Sequence, residues 1–411
     1  MATDTARWSM VAVAAGTVML VTMGSRQTMG LFVPDLIFAT GLDISVISLA
    51  LAMAQFIWGA IQPVAGAAAD RYGAGRVLAA GMLLLVLGNA MLPLVDGVWA
   101  VVLALGILPA VGTGIGSFSV LIGATARRLP AAKRPMAANV ISTGGSIGQF
   151  LFPPVTQKLI VVLGWAGAMW SLAAVALAAL PLALALRGQP REAGGEAGGD
   201  LLPGAGGGAL ASIRHALTVP SYLLLTAGFF TCGFHIAFLM THMPGEVRLC
   251  GQSASVASWA LSIIGLTNIA GSFLAGLLSQ RFENRYILFW IYGLRGLFVS
   301  LYLVGPKDEL TFYIFAAGLG LTWLATVPPT IGVIAKLFGS SRIGTLFGMA
   351  LMFHQIGGFL GAWLGGLAVA RFGSFDWMWY ADVVLAFAAA LLNLPIRETP
   401  AVARAPQLQS A

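Results

Sequence analysis

The sequence predicts an all-α membrane protein with twelve transmembrane helices, arranged as two pseudo-symmetric six-helix halves. Three observations support this prediction: the composition, the number of long apolar segments, and a motif that occurs once in each half. Of the 411 residues, 58% are hydrophobic and only 9% are charged, and the mean hydropathy is +0.89. Because a soluble domain has about 25% charged residues, this chain is too apolar to cover its surface in water.

Twelve apolar segments are long enough to cross a bilayer, which takes about 20 residues of helix. In the first half they lie near residues 8–33, 44–68, 76–95, 98–126, 134–162 and 165–187. In the second half they lie near residues 219–243, 253–279, 286–304, 310–335, 343–369 and 375–396. Lipid offers the backbone no hydrogen-bond partners, so these segments are predicted to be helices. Neighbouring segments with short connections, such as 163–165, are predicted to form antiparallel hairpins.

The two sets of six segments are separated by a stretch of different composition. Residues 188–218 are rich in glycine, lightly charged and without hydrophobic periodicity, which is typical of a flexible tether. The sequence therefore predicts an N-terminal half at residues 1–187, a cytoplasmic linker at 188–218 and a C-terminal half at 219–411.

The distribution of basic residues predicts how the chain crosses the membrane. The loops on the side of the two termini contain sixteen lysines and arginines, and the opposite loops contain four: Lys158, Arg248, Lys307 and Arg371. Basic residues are enriched in cytoplasmic loops, so both termini are predicted to be cytoplasmic in a multi-pass protein of the inner (plasma) membrane. The net charge of +7 follows from this topology, and a nucleic-acid partner is not needed to explain it.

A loop motif occurs at the same place in both halves, as an internal repeat. The first copy contains Gly66, Asp70, Arg71, Gly73 and Arg76, and the second copy, 210 residues later, contains Gly276, Gln280 and Arg281. Gly66 allows two helices to approach closely, and Gly73 permits a tight turn. Asp70 lies where a helix ends, so its carboxylate can accept hydrogen bonds from a neighbouring helix N-terminus or an arginine.

The pattern G-x-x-x-D-R-x-G-x-x-R at residues 66–76 resembles the loop signature of the major facilitator superfamily. This resemblance implies a transporter that works by alternating access, usually as a monomer. It also implies that the motif acts as a latch that closes the cytoplasmic gate. Since Gln280 replaces the acid in the second copy, we expect the latch on one side of the pseudo-twofold axis only.

A narrower resemblance, to the monocarboxylate and oxalate/formate porter branch and its bacterial relatives, rests on two other stretches. Residues 23–32 read Met-Gly-Ser-Arg-Gln-Thr-Met-Gly-Leu-Phe, in which a basic residue precedes a small apolar run in the first helix. Residues 145–148 read Gly-Ser-Ile-Gly and are followed by Phe-Pro-Pro at 152–154. The branch also has an arginine in the eighth helix, whereas residues 266–272 read Leu-Thr-Asn-Ile-Ala-Gly-Ser here. That part of a carboxylate-binding site is therefore missing from its usual place.

Charged residues within apolar segments are costly in a bilayer and usually functional. Arg26 lies about 27 Å along the first helix from Trp8. The family fold, in which helices 1, 4, 7 and 10 line the cavity, implies that Arg26 anchors an anion on the substrate path. The alternative is a structural arginine that pairs with Asp35 or extends towards the surface. Arg295 lies in the peripheral ninth helix, where it either replaces the absent eighth-helix arginine or has a structural hydrogen-bonding role.

Other polar residues are candidates for binding substrate or protons. His235 lies in the middle of the seventh helix, which lines the cavity in the family fold, and His354 lies in the eleventh. Imidazole titrates near neutral pH, yet each histidine is equally consistent with a packing role. Further candidates are Ser117, Asn139, Asn268 and Gln355, although each can also serve as a hydrogen-bonding contact between helices.

Carboxylates are expected to be absent from the middle of every predicted span. Asp382 alone enters a span, near its outer end. Exporters of cations and cationic drugs usually need a carboxylate within the membrane. A cavity with arginines and without carboxylates is electropositive and favours an anion.

We therefore expect a secondary active transporter of a small organic anion, a mono- or dicarboxylate, coupled to protons or to anion exchange. A multidrug or metabolite exporter of the same fold is the main alternative, and a non-transporting membrane sensor or enzyme is a more distant one. No nucleotide-binding, hydrolase or metalloprotease motif is present, so an enzyme is not expected. Cys232 and Cys250 indicate neither a disulfide framework nor a metal site, and no cofactor is expected.

Overall fold

The computed structural model describes residues 2–126, 128–129, 133–186, 209–339 and 342–400, and within these ranges the regular structure is helical, without strands. The predicted all-α class is therefore confirmed. Most of the predicted linker lies outside the described residues. Its last part forms a short helix, α9 (Ala209–Ala216), and this part is not the flexible tether that we expected. The reason is that Ile213 and Ala216 pack on the core of the second half.

In the first half, several of the predicted spans are interrupted or joined. Its described α-helices are α1 (Ala2–Gln27), α2 (Val33–Thr40), α3 (Ile44–Tyr72), α4 (Ala74–Met91), α5 (Val98–Val101), α6 (Leu108–Ile115), α7 (Phe118–Ala126) and α8 (Arg134–Ala185). A 3₁₀ turn at Met29–Phe32 separates α1 from α2, so the first span ends earlier than predicted. Helix α8 covers two predicted spans, and the chain turns between them at Gly164, whose φ of +71° suits glycine.

The second half contains longer helices and one clear interruption. Its remaining α-helices are α10 (Pro220–Leu249), α11 (Ala254–Leu278), α12 (Asn284–Val304), α13 (Glu309–Thr322), α14 (Val327–Phe338), α15 (Ile343–Phe372) and α16 (Asp376–Asn393). Helix α10 ends at Leu249, beyond the predicted end at residue 243. The predicted tenth span is divided into α13 and α14 by residues 323–326, and we call this interruption the α13–α14 break. Helix α14 begins with prolines, which have no amide hydrogen to donate and suit a first helical turn.

Nine stretches of the described chain are long and apolar enough to cross a membrane. One of them, Met136–Leu184, consists of two helices joined at Gly164. Helices α1 and α16 add the first and the last span. The total is twelve, so the predicted architecture is confirmed, while several predicted boundaries move by a few residues.

The internal repeat is also visible in how the helices pack. Each half has its own core of buried hydrophobic residues. In the first half, α1 and α8 are so close that a Cβ atom added at Gly148 would overlap the carbonyl oxygen of Leu20. In the second half, a Cβ atom added at Gly357 of α15 would overlap the carbonyl oxygen of Phe230 in α10. The two contacts are related by the sequence offset (357 − 148 = 209 and 230 − 20 = 210), as expected for small residues that let membrane helices approach.

We expect Gly357→Ala to lower the melting temperature of the purified protein, because the added methyl group meets only backbone atoms of α10. Overpacking of this kind costs about 1–3 kcal/mol. Gly348→Ala is the matched control on the same helix, since a Cβ atom there meets nothing within 4 Å. Equal melting temperatures for the two variants would show that α10 and α15 are not packed this tightly.

The two halves contact each other on the side of the bundle away from the termini, which we call the outer side. There Ser48, near the start of α3, lies against Gly366 of α15, and Gly30 lies against the carbonyl oxygen of Thr241 in α10. Helix α8 also packs on α11. These contacts form the outer seam, so the structure represents a conformation that is closed on the outer side.

The first copy of the loop motif has the local geometry that its glycines predict. Gly73 ends α3 with a φ of +90°, a backbone conformation that residues other than glycine rarely adopt. A Cβ atom added at Gly66 would lie 3.1 Å from the hydroxyl of Ser119 in α7, so the two helices are close here. Asp70, Arg71 and Arg76 are exposed on the termini side. Their role as a latch stays a prediction.

The second copy of the motif obtains its acid from a distant part of the chain. Glu398, near the end of the described residues, accepts a hydrogen bond of 2.6 Å from the backbone amide of Arg285. It also forms a 2.6 Å ion pair with Lys336 of α14. A carboxylate is stabilised at a helix N-terminus, and Glu398 supplies one at the start of α12. Arg281 is exposed.

Candidate functional site

A small cavity lies between the two halves, just inside the outer seam. Residues of α1, α3, α6 and α10 line it, among them Arg26, Gln55, Trp58, Thr113 and Thr241. Its volume is about 50 Å³, whereas ligand pockets usually measure about 300–1,000 Å³. The cavity is therefore nearly closed in this conformation and has to widen before it can accommodate an organic molecule.

Arg26 is the charged side chain among the residues that line this cavity. Its Nη2 donates a hydrogen bond to Oε1 of Gln55, and its guanidinium lies 4.2 Å from the ring centroid of Trp58. Gln55 and Trp58 are three residues apart on α3, a spacing that places both on one face of a helix. A guanidinium held by one amide and one aromatic face is positioned while several of its N–H groups remain available.

The Arg26 site is connected to the second half by a chain of hydrogen bonds. The side-chain amide of Gln55 donates to Oε1 of Gln355 on α15 over 2.8 Å, and Gln355 is fully buried. The chain Arg26–Gln55–Gln355 therefore crosses from one half to the other. A ligand that took the place of Gln55 on Arg26 would alter a contact between the two halves.

Arg26 does not pair with Asp35, which was the alternative to a role in binding an anion. Asp35 lies instead in a second cavity on the outer side, together with Arg248, Gln157 and Gln252. Arg26 therefore has no carboxylate among the described residues that line its cavity. An uncompensated guanidinium in a largely apolar, water-poor space attracts an anion.

The α13–α14 break exposes backbone polar groups, and side chains from two other helices bind them. Arg295 of α12, which is buried, donates hydrogen bonds to the carbonyl oxygens of Thr322 and Trp323. Asn268 of α11 accepts a hydrogen bond of 3.1 Å from the amide of Leu324. Arg295 and Asn268 thus have backbone partners at the break, and neither lines the Arg26 cavity.

Two carboxylates are buried among the helices, although none was expected in the middle of a span. The carboxylate of Asp382 in α16 is fully buried, and its Oδ1 lies 3.2 Å from Nε2 of His235. Glu246 is also buried, because α10 is longer than predicted, and it accepts a hydrogen bond from the phenol of Tyr302. His235, for which a substrate or proton role and a packing role were both open, does not line the Arg26 cavity and contacts Asp382 inside the second half. The buried charges thus have partners on neighbouring helices.

The other predicted site residues are dispersed. His354 on α15 is buried, with its ring 4.8 Å from that of Phe229. Ser117 is buried, and its hydroxyl donates a hydrogen bond to the carbonyl oxygen of Gly114 three residues earlier. Asn139 is exposed near the start of α8. Within the described ranges, no group of three or more His, Cys, Asp or Glu residues could bind a metal ion. The structure thus brings Arg26 and Gln355 together and leaves Ser117 and Asn139 apart from them.

Sequence reasoning did not identify Trp58 or Asp382 as partners of the predicted residues. A tryptophan three positions after a polar residue in an apolar helix is a usable signal, because both then lie on one face. Asp382 was recognised as a charge within a span but not as the partner of His235, since α10 and α16 are adjacent only in the folded bundle.

The fold and the site can now be compared with known proteins. The sequence model of the Major Facilitator Superfamily matches residues 15–249 and 247–410, and the two matches together span most of the chain. The chain belongs to the major facilitator superfamily. It is thus a multi-pass membrane transporter with a small-molecule substrate, and its fold is the twelve-helix fold of that superfamily.

Individual members of the superfamily are similar over most of their length. Monocarboxylate transporter 13 of Rattus norvegicus is 24% identical over 357 residues, which cover 85% of this chain and 79% of the relative. Monocarboxylate transporter 11 of Homo sapiens is 26% identical over 407 residues, covering 94% and 82%. Among solved structures, a bacterial homologue of the human lysosomal transporter Spinster, crystallised in an inward-facing and occupied conformation, matches with a TM-score of 0.75. It is 14% identical and covers 94% of this chain and 96% of that one, which shows the shared fold.

Proposed function

We propose that this member of the superfamily transports a small organic anion, a mono- or dicarboxylate, by alternating access. The observation that supports this substrate class most directly is Arg26, the charged group in a cavity whose other walls are mainly apolar. A carboxylate could accept hydrogen bonds from the guanidinium N–H groups that Gln55 does not use. The two mammalian relatives, which are named as monocarboxylate transporters, agree with this substrate class.

The orientation of the transporter is part of the same proposal. We place the termini and the loop motif on the cytoplasmic side of the inner membrane, on the basis of the basic residues in the loops. The outer seam then separates the cavity from the outside of the cell. In the described conformation, substrate would enter or leave the cavity from the cytoplasm. Residues 1–187 and 219–411 are the two bodies that would move about the cavity, and Asp70 with its neighbours would close the opposite side. A single chain is sufficient for this cycle.

Ligand-dependent thermal stability tests the proposed substrate class. The purified protein would be heated with acetate, lactate, pyruvate, oxalate, succinate or benzoate, with the matched neutral amides, and with the cation tetraphenylphosphonium. A ligand at 100 times its Kd stabilises the native state by about 2.7 kcal/mol. We expect at least one carboxylate to raise the melting temperature of the wild-type protein, its amide to have no effect, and Arg26→Gln to abolish the increase.

The control for this experiment is Arg371→Gln, which removes an exposed arginine at the end of α15 and should respond as the wild type does. Stabilisation by the amides or by tetraphenylphosphonium, unaffected by Arg26→Gln, would contradict the proposal and favour an exporter of neutral or cationic compounds.

A further inference from the structure

A second buried polar cluster lies inside the second half, apart from the Arg26 cavity. It consists of His235 on α10, Arg295 on α12 and Asp382 on α16, and each of these side chains is at most 1% exposed. The imidazole and the carboxylate approach to 3.2 Å. The positive charge of Arg295 acts on both of them. Three ionisable groups from three helices therefore meet in a region without access to bulk water.

Several polar atoms of this cluster lack a hydrogen-bond partner among the described residues. Nε2 of His235 and Oδ1 of Asp382 contact each other at 3.2 Å, whereas Nδ1 of His235, Oδ2 of Asp382 and Nη1 of Arg295 have no partner. An unsatisfied buried polar group costs about 1–3 kcal/mol, so a ligand that binds between these atoms would stabilise the cluster. A proton, with water that bridges the remaining atoms, is the ligand that an imidazole and a carboxylate at this distance can share.

Further polar side chains face the cluster from the surrounding helices. Cys232 of α10 lies 3.4 Å from the hydroxyl of Thr326 at the α13–α14 break. The guanidinium of Arg295 lies 5.6 Å from the ring centroid of Tyr292 on α12. His354 of α15 interacts with Cys232 and is the second titratable imidazole near the cluster. The carboxylate of Glu246, about three turns further along α10 than His235, is bonded to Tyr302 instead.

Arg295 connects the cluster to a structural discontinuity. The same guanidinium whose Nη1 is without a partner binds the carbonyl oxygens of Thr322 and Trp323 through Nη2. These carbonyl groups belong to the last turn of α13, where a cation is favourable. Any change in the charge near Arg295 therefore alters how strongly it holds the end of α13.

We propose that His235 and Asp382 form a proton-binding site, and that Arg295 transmits its occupancy to the α13–α14 break. Without the proton, the carboxylate of Asp382 attracts Nη1 of Arg295 away from the carbonyl groups at the break. With the proton bound to the pair, this attraction is lost and Arg295 binds the end of α13 alone. The proton comes from water on one side of the membrane and returns to water on the other, and no bond to substrate is formed or broken.

The transport consequence of this site rests on the proposed function. A proton and a monocarboxylate carry opposite single charges, so binding both leaves the buried charge of the empty protein unchanged. Transport of the pair would then be electroneutral and driven by a pH gradient. Anion exchange, in which the proton stays bound throughout, would not require the site to titrate.

Infrared difference spectroscopy tests the proton site without any substrate. Spectra of the purified protein in lipid would be recorded across a pH titration for the wild type, Asp382→Asn and the control Glu246→Gln. We expect a protonated-carboxyl band that titrates in the wild type and in Glu246→Gln and is lost in Asp382→Asn. Asp382→Glu, which keeps a carboxyl group and shifts its band, gives the same assignment if Asp382→Asn does not fold. A wild-type protein with no titrating band, or a band that persists in Asp382→Asn, would overturn the inference.

Transport in proteoliposomes separates the proton site from the proposed substrate class. Uptake of radiolabelled lactate, pyruvate and benzoate would be driven either by a pH gradient or by exchange against the same unlabelled anion. We expect Asp382→Asn and His235→Gln to lose gradient-driven uptake and retain exchange, whereas His242→Gln, another buried histidine of α10 bonded to Ala362, retains both. Wild-type rates of gradient-driven uptake in Asp382→Asn would overturn the inference. A titrating Asp382 band together with no transport of any anion would support the proton site and refute the proposed function.

Discussion

Replacing Arg26 with glutamine should lower the initial rate of anion uptake into proteoliposomes by about 30-fold or more. Truncating one partner of a buried, hydrogen-bonded charge pair costs about 2–5 kcal/mol, and each 1.4 kcal/mol is a factor of ten. Gln55 and Trp58 position the guanidinium in the cavity, so its loss removes both the charge and the oriented N–H groups. Arg26→Lys should give an intermediate rate, because an ammonium keeps the charge but not the planar fork.

The measurement is the initial rate of uptake of radiolabelled lactate, pyruvate and benzoate at equal protein content. The control variant Arg371→Gln, which replaces an exposed arginine at the end of α15, should transport at the wild-type rate. If Arg26→Gln transports as fast as Arg371→Gln, the cavity described here is not the site where the anion binds.

Removing Arg295 should be among the most destabilising single changes in the protein. Arg295→Met leaves the buried carboxylate of Asp382 without a counter-charge and the carbonyl oxygens of Thr322 and Trp323 without their donor. Each buried polar group that is left without its partner costs about 1–3 kcal/mol. The double variant Arg295→Met/Asp382→Asn should recover part of this loss, because the uncompensated charge is then gone.

A double-mutant cycle on thermal or denaturant unfolding measures this recovery. We expect a coupling free energy of about 0.5–3 kcal/mol between the two positions. Arg285→Met, which removes a partly exposed arginine at the start of the same helix, should cost less than about 1 kcal/mol. If the effects of Arg295→Met and Asp382→Asn simply add, the two charges do not interact and the link from Asp382 to the α13–α14 break fails.

Much of the fold could be predicted because a bilayer leaves few choices. Lipid excludes unpaired backbone groups, so each long apolar segment had to be a helix, and twelve such segments gave the architecture. The loop motif indicated a repeat, which the packing of α1 on α8 and α10 on α15 reproduces. The boundaries that moved are those where a helix is interrupted, as at the α13–α14 break, because hydrophobicity alone does not register a break in the backbone.

The candidate site was only partly predictable for a related reason. A charge in an apolar segment is visible in the sequence, and Arg26 was identified in that way. Its partners were not, since Gln55 and Gln355 lie 300 residues apart and meet only across the interface of the two halves. The role of His235 stayed open at the level of sequence, because the seventh helix is buried on nearly all sides and periodicity could not distinguish its faces.

The sequence by itself determined the membrane class, the helix count, the internal repeat and the identity of the rare charges, because each depends on composition and spacing along the chain. Only the tertiary structure decided which charges are partners. It places Glu398 at the start of α12, Asp382 beside His235, and Arg295 at the α13–α14 break. The physical reason is that a charge within the membrane must find its partner on a neighbouring helix, and the bundle alone determines which helices are neighbours.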